Sequence, residues 1–191
     1  MRALARPLLV CLLLAGLAAG PPPAAGDSAS ADEVWVRVDT RRGLAEVMRG
    51  DDLVVRFAGI SIGRGGAASV HLEGDHTTPL GEYRIQRISR QSRFHLFLEL
   101  DYPRLPDLHE ANRKGVLDDE TYLQLLERMW RHGRLPADTP LGGSIGLHGL
   151  GEADPMLHSR LNWTQGCVAL TNAQIDALAG HVRLGTLVVI Q

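Results

Sequence analysis

Cysteine, lysine and long apolar runs are all scarce in this chain of 191 residues. It contains two cysteines, Cys11 and Cys167, and one lysine, Lys114. No apolar run after residue 31 is long enough to cross a bilayer, which takes about 20 residues. The formal net charge is −2, and no basic stripe or charge block is present. The composition therefore predicts one globular domain with no nucleic-acid partner.

The N-terminus carries the pattern of a targeting signal. Arg2 and Arg6 give it a positive start, and the apolar stretch PLLVCLLLAGLAA at 7–19 is too short to span a membrane. The segment ASA at 29–31 is a candidate cleavage site, and AAG at 24–26 is another. We therefore expect residues 1–31 to be a signal peptide with a disordered Pro/Ala/Ser leader.

The targeting signal decides how the cysteines are interpreted. Cys11 lies within the apolar stretch and follows the bulky Val10, where a lipid-bearing cysteine needs a small neighbour. Cleavage removes Cys11, so Cys167 remains alone and no disulfide is expected. We predict an exported protein, periplasmic or associated with the cell envelope, with no transmembrane segment after cleavage and a folded domain at 33–191.

Hydrophobic periodicity predicts a mainly β chain. Val34, Val36 and Val38 alternate with polar residues, which is typical of a strand. Further strands are predicted at 44–48, 53–62, 83–88, 95–100, 144–149 and 185–191. The two prolines of YPRLPD, at 102–107, favour a loop.

Two helices are predicted in the same chain. In 118–132 the apolar residues fall at helical spacing, Asp118 or Asp119 can cap the start, and Gly133 can end the helix. A second, short helix follows Thr171, because Thr171 and Gln174 form a capping-box pattern. The expected fold is mainly β with short α-helices.

The stretch TQGCVAL, at 164–170, presents the remaining thiol. A cysteine is a good nucleophile as thiolate, and a neighbouring imidazole can take its proton. The histidine of GLHG, His148, is flanked by glycines that leave room for a ligand. Backbone amides near Gly166 can stabilise an oxyanion. This combination is typical of a thiol enzyme that transfers acyl groups.

Two other interpretations of Cys167 remain open from the residues alone. A lone cysteine is often a small buried hydrophobic residue without chemistry. A zinc site built from His148, His158 and Cys167 is another alternative, although the spacing matches no usual metal pattern.

The two motifs together resemble the YkuD-type L,D-transpeptidase catalytic domain. In that family a histidine followed by glycine or serine precedes a Ser/Thr-x-Gly-Cys segment by just under twenty residues, and here His148 precedes Cys167 by 19. The blocks GDHTTPLGEYRI at 74–85 and LELDYPRLPD at 98–107 agree as well. The segment NWTQGCVALTNAQIDAL, at 162–178, resembles a branch with Thr-x-Gly-Cys-x-Ala-Leu at the site.

The resemblance implies a β-sandwich-like catalytic domain with a cysteine nucleophile, acting on peptidoglycan stem peptides without a metal or organic cofactor. Cys167 is expected to be acylated with release of D-alanine, and an amine of another stem then gives a 3→3 cross-link. His148 would be the base, Gly149 would orient it through its carbonyl, and Gly166 and Cys167 would offer amides. Substrate-binding residues are expected at Thr164, Gln165, Arg160, Arg64 and His158.

Two departures from the family pattern leave the acceptor open. Gln165 stands where many members have histidine or arginine, and Ala169 where many have arginine or asparagine. Water as the acceptor would make the protein an L,D-carboxypeptidase or endopeptidase. A non-catalytic peptidoglycan-binding module is the third hypothesis, and the presence of both His148 and Cys167 argues against it.

Overall fold

The computed structural model describes residues 32–135 and 138–191. The predicted signal peptide and leader, residues 1–31, lie outside the described residues. Within them, no helix combines the length and apolar character that a membrane crossing requires.

Strands form most of the regular structure of the described residues, as predicted. They are β1 Val34–Asp39, β2 Leu44–Arg49, β3 Asp52–Ala58, β4 Ala67–Ala68, β5 Thr78–Pro79, β6 Gly81–Ser92, β7 His95–Leu100, β8 Gly146–His148, β9 Val168–Ala169 and β10 Leu187–Ile190. The helices are α1 Leu105–Arg113, α2 Asp119–His132, α3 Pro155–His158 and α4 Asn172–Ala179. The mainly β class with short helices is confirmed.

Eight of these strands form one mixed sheet in the order β3-β2-β1-β10-β6-β7-β8-β9, and β4 pairs with β5 separately. The long strand β6 joins the two halves of the sheet. Its first residues pair with β10 and its remaining residues pair with β7. The register shifts between Ile85 and Arg87, which is typical of a bulge that bends a sheet.

The apolar core draws on both halves of this sheet and on the helices. Val36 and Val38 are fully buried, which confirms the alternation predicted for β1. Fully buried residues from the rest of the core include Tyr83, Leu98, Leu147, Leu170 and Ile175. The short strands β8 and β9, which position the cysteine and histidine, are thus anchored in the main core.

Both predicted helices are present, with the predicted caps. The side chain of Asp118 accepts a hydrogen bond from the Thr121 amide, and Gly133 ends α2 in a left-handed conformation. Thr171 and Gln174 form the reciprocal capping box of α4. Local signals in the sequence were sufficient to define these two helices.

The prediction of a loop throughout 102–107 is wrong at its C-terminal end, because α1 begins at Leu105. Pro106 lies in the first turn of the helix, where its missing N–H costs nothing. The carboxylate of Asp107 accepts a hydrogen bond from the Arg104 amide and closes that turn. The short helix α3, capped by Asp154, was also not predicted.

Candidate active site

The pairing of β8 with β9 places His148 and Cys167 on one face. These strands are parallel, with Leu147 opposite Val168 and His148 opposite Ala169. Because side chains alternate, Cys167, which directly precedes β9, shares the face of Ala169 and His148. With strands about 4.8 Å apart and a rise of about 3.3 Å per residue, the two Cα atoms are roughly 8 Å apart, which an imidazole side chain can bridge.

The ring of His148 is held in one orientation and one tautomer. Its Nδ1 donates a hydrogen bond to the carbonyl oxygen of Gly149 at 2.7 Å, so Nε2 keeps its lone pair. Phe94 stacks on the imidazole with ring centroids 4.2 Å apart, and Trp163 contacts it edge-on at 6.0 Å. The side chain is 2% exposed, and this burial lowers the pKa of His148 to about 4. Near neutral pH, His148 is therefore uncharged, and its Nε2 is able to accept a proton.

The thiol of Cys167 is half-buried. Its Sγ donates to the carbonyl oxygen of Ser144 at 3.5 Å, and Ser144 has a left-handed backbone with φ 55°. Burial raises the pKa of Cys167 to about 11. The site therefore combines a neutral thiol with a neutral imidazole rather than an ion pair.

The turn before Cys167 is fixed by its own hydrogen bonds. The hydroxyl of Thr164 donates to the carbonyl of Cys167 at 2.6 Å, and the Gly166 amide donates to that hydroxyl at 3.2 Å. Gly166 has φ 129°, and a Cβ there would lie 2.9 Å from the carbonyl oxygen of Thr77. A glycine is therefore required at 166. The Gly166 N–H is therefore bonded to Thr164, whose side chain lines the cleft.

A cleft of about 630 Å³ contains these groups. Among the site residues predicted from the sequence, His148, Thr164, Gln165 and Cys167 line it. Gly149 and Gly166 support the lining from behind, through the contacts just described. The other lining residues include His71, Glu73, His76, Arg93, Phe94, Phe97, Ser144 and Trp163.

The remaining predicted substrate contacts lie outside this lining. Arg64 donates to Nε2 of His76, which does line the cleft, so Arg64 is one residue removed from it. Arg160 is exposed beyond α3. His158 is buried behind Trp163, whose Nε1 donates to its Nδ1 at 3.4 Å. Burial lowers the pKa of His158. His158 is connected to the cleft through its hydrogen bond with Trp163.

Sequence reasoning missed several residues that line the cleft. His71 is 4% exposed and donates from Nδ1 to Asp75 at 2.9 Å. Arg93 and Phe94 come from the turn between β6 and β7 and carry no sequence motif. The block at 74–85 offered a signal for His76 and for Asp75, the partner of His71, and the segment at 162–178 offered one for Trp163. Within the described part of the chain, no three His, Cys, Asp or Glu side chains are grouped as a metal site requires.

Comparison with known proteins is consistent with this geometry. Solved structures with the same fold include Bd1075 from Bdellovibrio bacteriovorus, at 20% identity and a TM-score of 0.55, covering 84% of this chain and 48% of that one. Pgp2 from Campylobacter jejuni, a helical cell shape determining protein, matches at 20% identity and a TM-score of 0.55, covering 83% of this chain and 47% of that one. This chain thus spans about half the length of either protein.

A search of curated proteins found no match. The family model of the YkuD L,D-transpeptidase catalytic domain matches residues 33–190, which is most of the chain and includes every helix and strand of the described residues. The predicted resemblance is thereby confirmed at the level of the family. The chain belongs to the YkuD family of L,D-transpeptidase catalytic domains.

Proposed function

We propose that this protein is an exported cysteine acyltransferase that acts on peptidoglycan stem peptides and forms 3→3 cross-links. The observation that carries the proposal is the shared cleft of Cys167 and His148, in which Gly149 fixes the imidazole tautomer and leaves Nε2 as a proton acceptor. Export is inferred from the signal pattern of residues 1–31.

Acylation follows from the two neutral groups. The Cys167 sulfur attacks the carbonyl carbon after the third stem residue, while Nε2 of His148 takes the thiol proton. Because the pKa of the imidazole is about 4 and that of the thiol about 11, proton transfer accompanies attack rather than preceding it. The imidazolium returns the proton to the leaving amine, D-alanine departs, and a thioester remains.

The second half-reaction regenerates the thiol. An amine from another stem attacks the thioester carbonyl, the C–N bond forms and the C–S bond breaks. His148 passes the amine proton to the departing sulfur. Pgp2 is described as a helical cell shape determining protein, and we propose that this chain likewise contributes to cell shape.

Incubation with purified tetrapeptide muropeptides, followed by mass spectrometry, tests this function. The protein without residues 1–31 should release D-alanine and yield cross-linked dimers, and Cys167→Ser should reduce turnover about 10³-fold or more while the fold is kept. Tripeptide without dimers would instead indicate hydrolysis. Full activity in Cys167→Ser would exclude the proposed nucleophile.

A further inference from the structure

Arg93 lines the cleft beside His148 and Cys167, and within the described part of the chain its guanidinium has no acidic partner. Among the described residues, no carboxylate lies within salt-bridge distance of its guanidinium. Its interaction within the protein is with Phe94, whose ring centroid lies 4.6 Å from Cζ of Arg93. The cleft therefore contains a cation that the protein leaves available to a ligand.

The turn that carries Arg93 is packed tightly against the segment that carries the histidine. A Cβ on Gly151 would lie 2.1 Å from the carbonyl oxygen of Arg93, and a Cβ on Gly149 would lie 2.8 Å from that of Phe94. The Gly149 amide also donates to the carbonyl of Leu96 at 3.1 Å. Glycines directly after His148 thus allow this close approach, and they fix the backbone of Arg93 relative to the base.

The distances fit a carboxylate next to the bond that breaks. Phe94 lies 4.6 Å from the guanidinium and 4.2 Å from the imidazole, so the two groups are at most about 9 Å apart. In a peptide, the α-carboxylate of the leaving residue lies about 4 Å from the scissile carbonyl carbon. An ion pair spans up to about 4 Å more. A substrate carbonyl held between Cys167 and His148, on the side of Phe94, can therefore place that carboxylate within reach of Arg93.

We propose that Arg93 is a specificity-determining residue that binds the terminal α-carboxylate of the residue released on acylation. This inference rests on the proposed function and names the chemical group that its substrate must carry. A guanidinium forms two parallel hydrogen bonds with a carboxylate, so it selects a free C-terminus over an amide.

Binding to the Cys167→Ala protein tests the assignment without turnover. Calorimetry would compare a tetrapeptide stem ending in a free carboxylate with the same peptide ending in a carboxamide. With Arg93 present, the free acid should bind about tenfold more tightly. Adding Arg93→Ala should reduce the preference to less than about twofold, and Arg93→Lys should retain part of it. Arg90→Ala, three residues away on β6, should leave the tenfold preference intact.

The outcomes separate this inference from the proposed function. Equal loss of affinity for both peptides in Arg93→Ala would overturn the carboxylate assignment. Arg93 could instead bind the side-chain carboxylate of the third stem residue, and a third peptide that is amidated at that side chain and free at its C-terminus tests this. If Arg93→Ala removed the preference against this peptide and left the preference against the C-terminal carboxamide unchanged, the assignment to the terminal carboxylate would be overturned. If the binding preference is present but the native enzyme forms no product from muropeptides, the transpeptidase proposal fails and the carboxylate site stands.

Discussion

The proposed catalytic pair, His148 and Cys167, consists of two neutral side chains, and burial is the reason. Burial lowers the pKa of His148 to about 4 and raises that of Cys167 to about 11. Between those values His148 can accept a proton and the thiol still carries one. The rate should then be nearly independent of pH from about 6 to 9, and it should fall in acid as His148 becomes protonated.

Replacing His148 with alanine should change the shape of this pH profile. Without the imidazole only the thiolate reacts, and a pKa of about 11 for Cys167 keeps the thiolate near one part in a thousand at pH 8. We expect a loss of about 10² to 10⁴-fold at pH 7, and a rate that rises about tenfold per pH unit up to pH 10. Steady-state kinetics across this range measures both.

The exposed His181 offers the matched control, because it lies on the surface after α4 and outside the cleft lining. His181→Gln should retain the flat profile. If His148→Ala also showed a flat profile with unchanged rate, His148 would have no role as base.

At the scale of elements, the site depends on a two-residue strand and the turn before it. β9 contributes Val168 and Ala169, and the parallel register with β8 places Cys167 on the side of His148. The chain can reach this register because Gly166 adopts φ 129° and fits against Ile145, with 2.9 Å between a hypothetical Cβ and Cδ1 of that residue. We therefore expect activity to depend on this turn as well as on the side chains of Cys167 and His148.

Gly166→Ala should displace Cys167. The added methyl group meets the backbone of Thr77 and the side chain of Ile145, and the left-handed φ adds strain. We expect destabilisation of about 1 to 3 kcal/mol and a loss of turnover of at least about tenfold. Thermal unfolding and the muropeptide assay measure the two effects.

Gly185→Ala is the control that distinguishes the effect of backbone strain from the effect of displacing Cys167. Gly185 has φ 84° but no atom within 4 Å of a hypothetical Cβ, so this variant should lose stability and keep its activity. Equal turnover in the two variants would show that the packing of Gly166 does not position the thiol.

The features that could be predicted from the sequence are those caused by contacts between residues close together in the chain. The caps of α2 and α4 are local hydrogen bonds, and the fixed spacing of His148 and Cys167 follows from a short crossover between paired strands. The helix α1 was missed because Pro106 is usually a breaker, and tertiary burial of Leu108 and Ala111 makes it helical here. Arg93 was missed because its neighbour in space, His148, is 55 residues away in the sequence.

At the scale of the whole molecule, the ion pairs of Glu46 and the candidate active site lie toward opposite ends of the sheet. The strands β3, β2 and β1 form one end of the sheet order, and β7, β8 and β9 form the other. In the first group, Glu46 on β2 is paired in register with Arg37 on β1 and Arg56 on β3. Its carboxylate is 1% exposed and forms ion pairs at 2.6 Å with each arginine. This ladder joins three strands far along the sheet from the cleft.

Glu46→Gln should therefore weaken the fold and spare catalysis. Burial by itself would raise the pKa of Glu46, but hydrogen bonds from Arg56 and Arg37 outweigh it and the pKa is lowered. The stabilisation is thus present above the unfolded value of about 4.5 and is lost as pH falls through the folded pKa. We expect about 1 to 3 kcal/mol of destabilisation at pH 7, a range kept modest because both arginines are partly solvated. This cost should shrink in acid.

Glu127→Gln, which removes the exposed pair with Arg131, should cost less than about 0.5 kcal/mol. Urea unfolding at pH 7 and pH 3 measures the difference, and an equal cost at both values would contradict the ion-pair origin of the stabilisation.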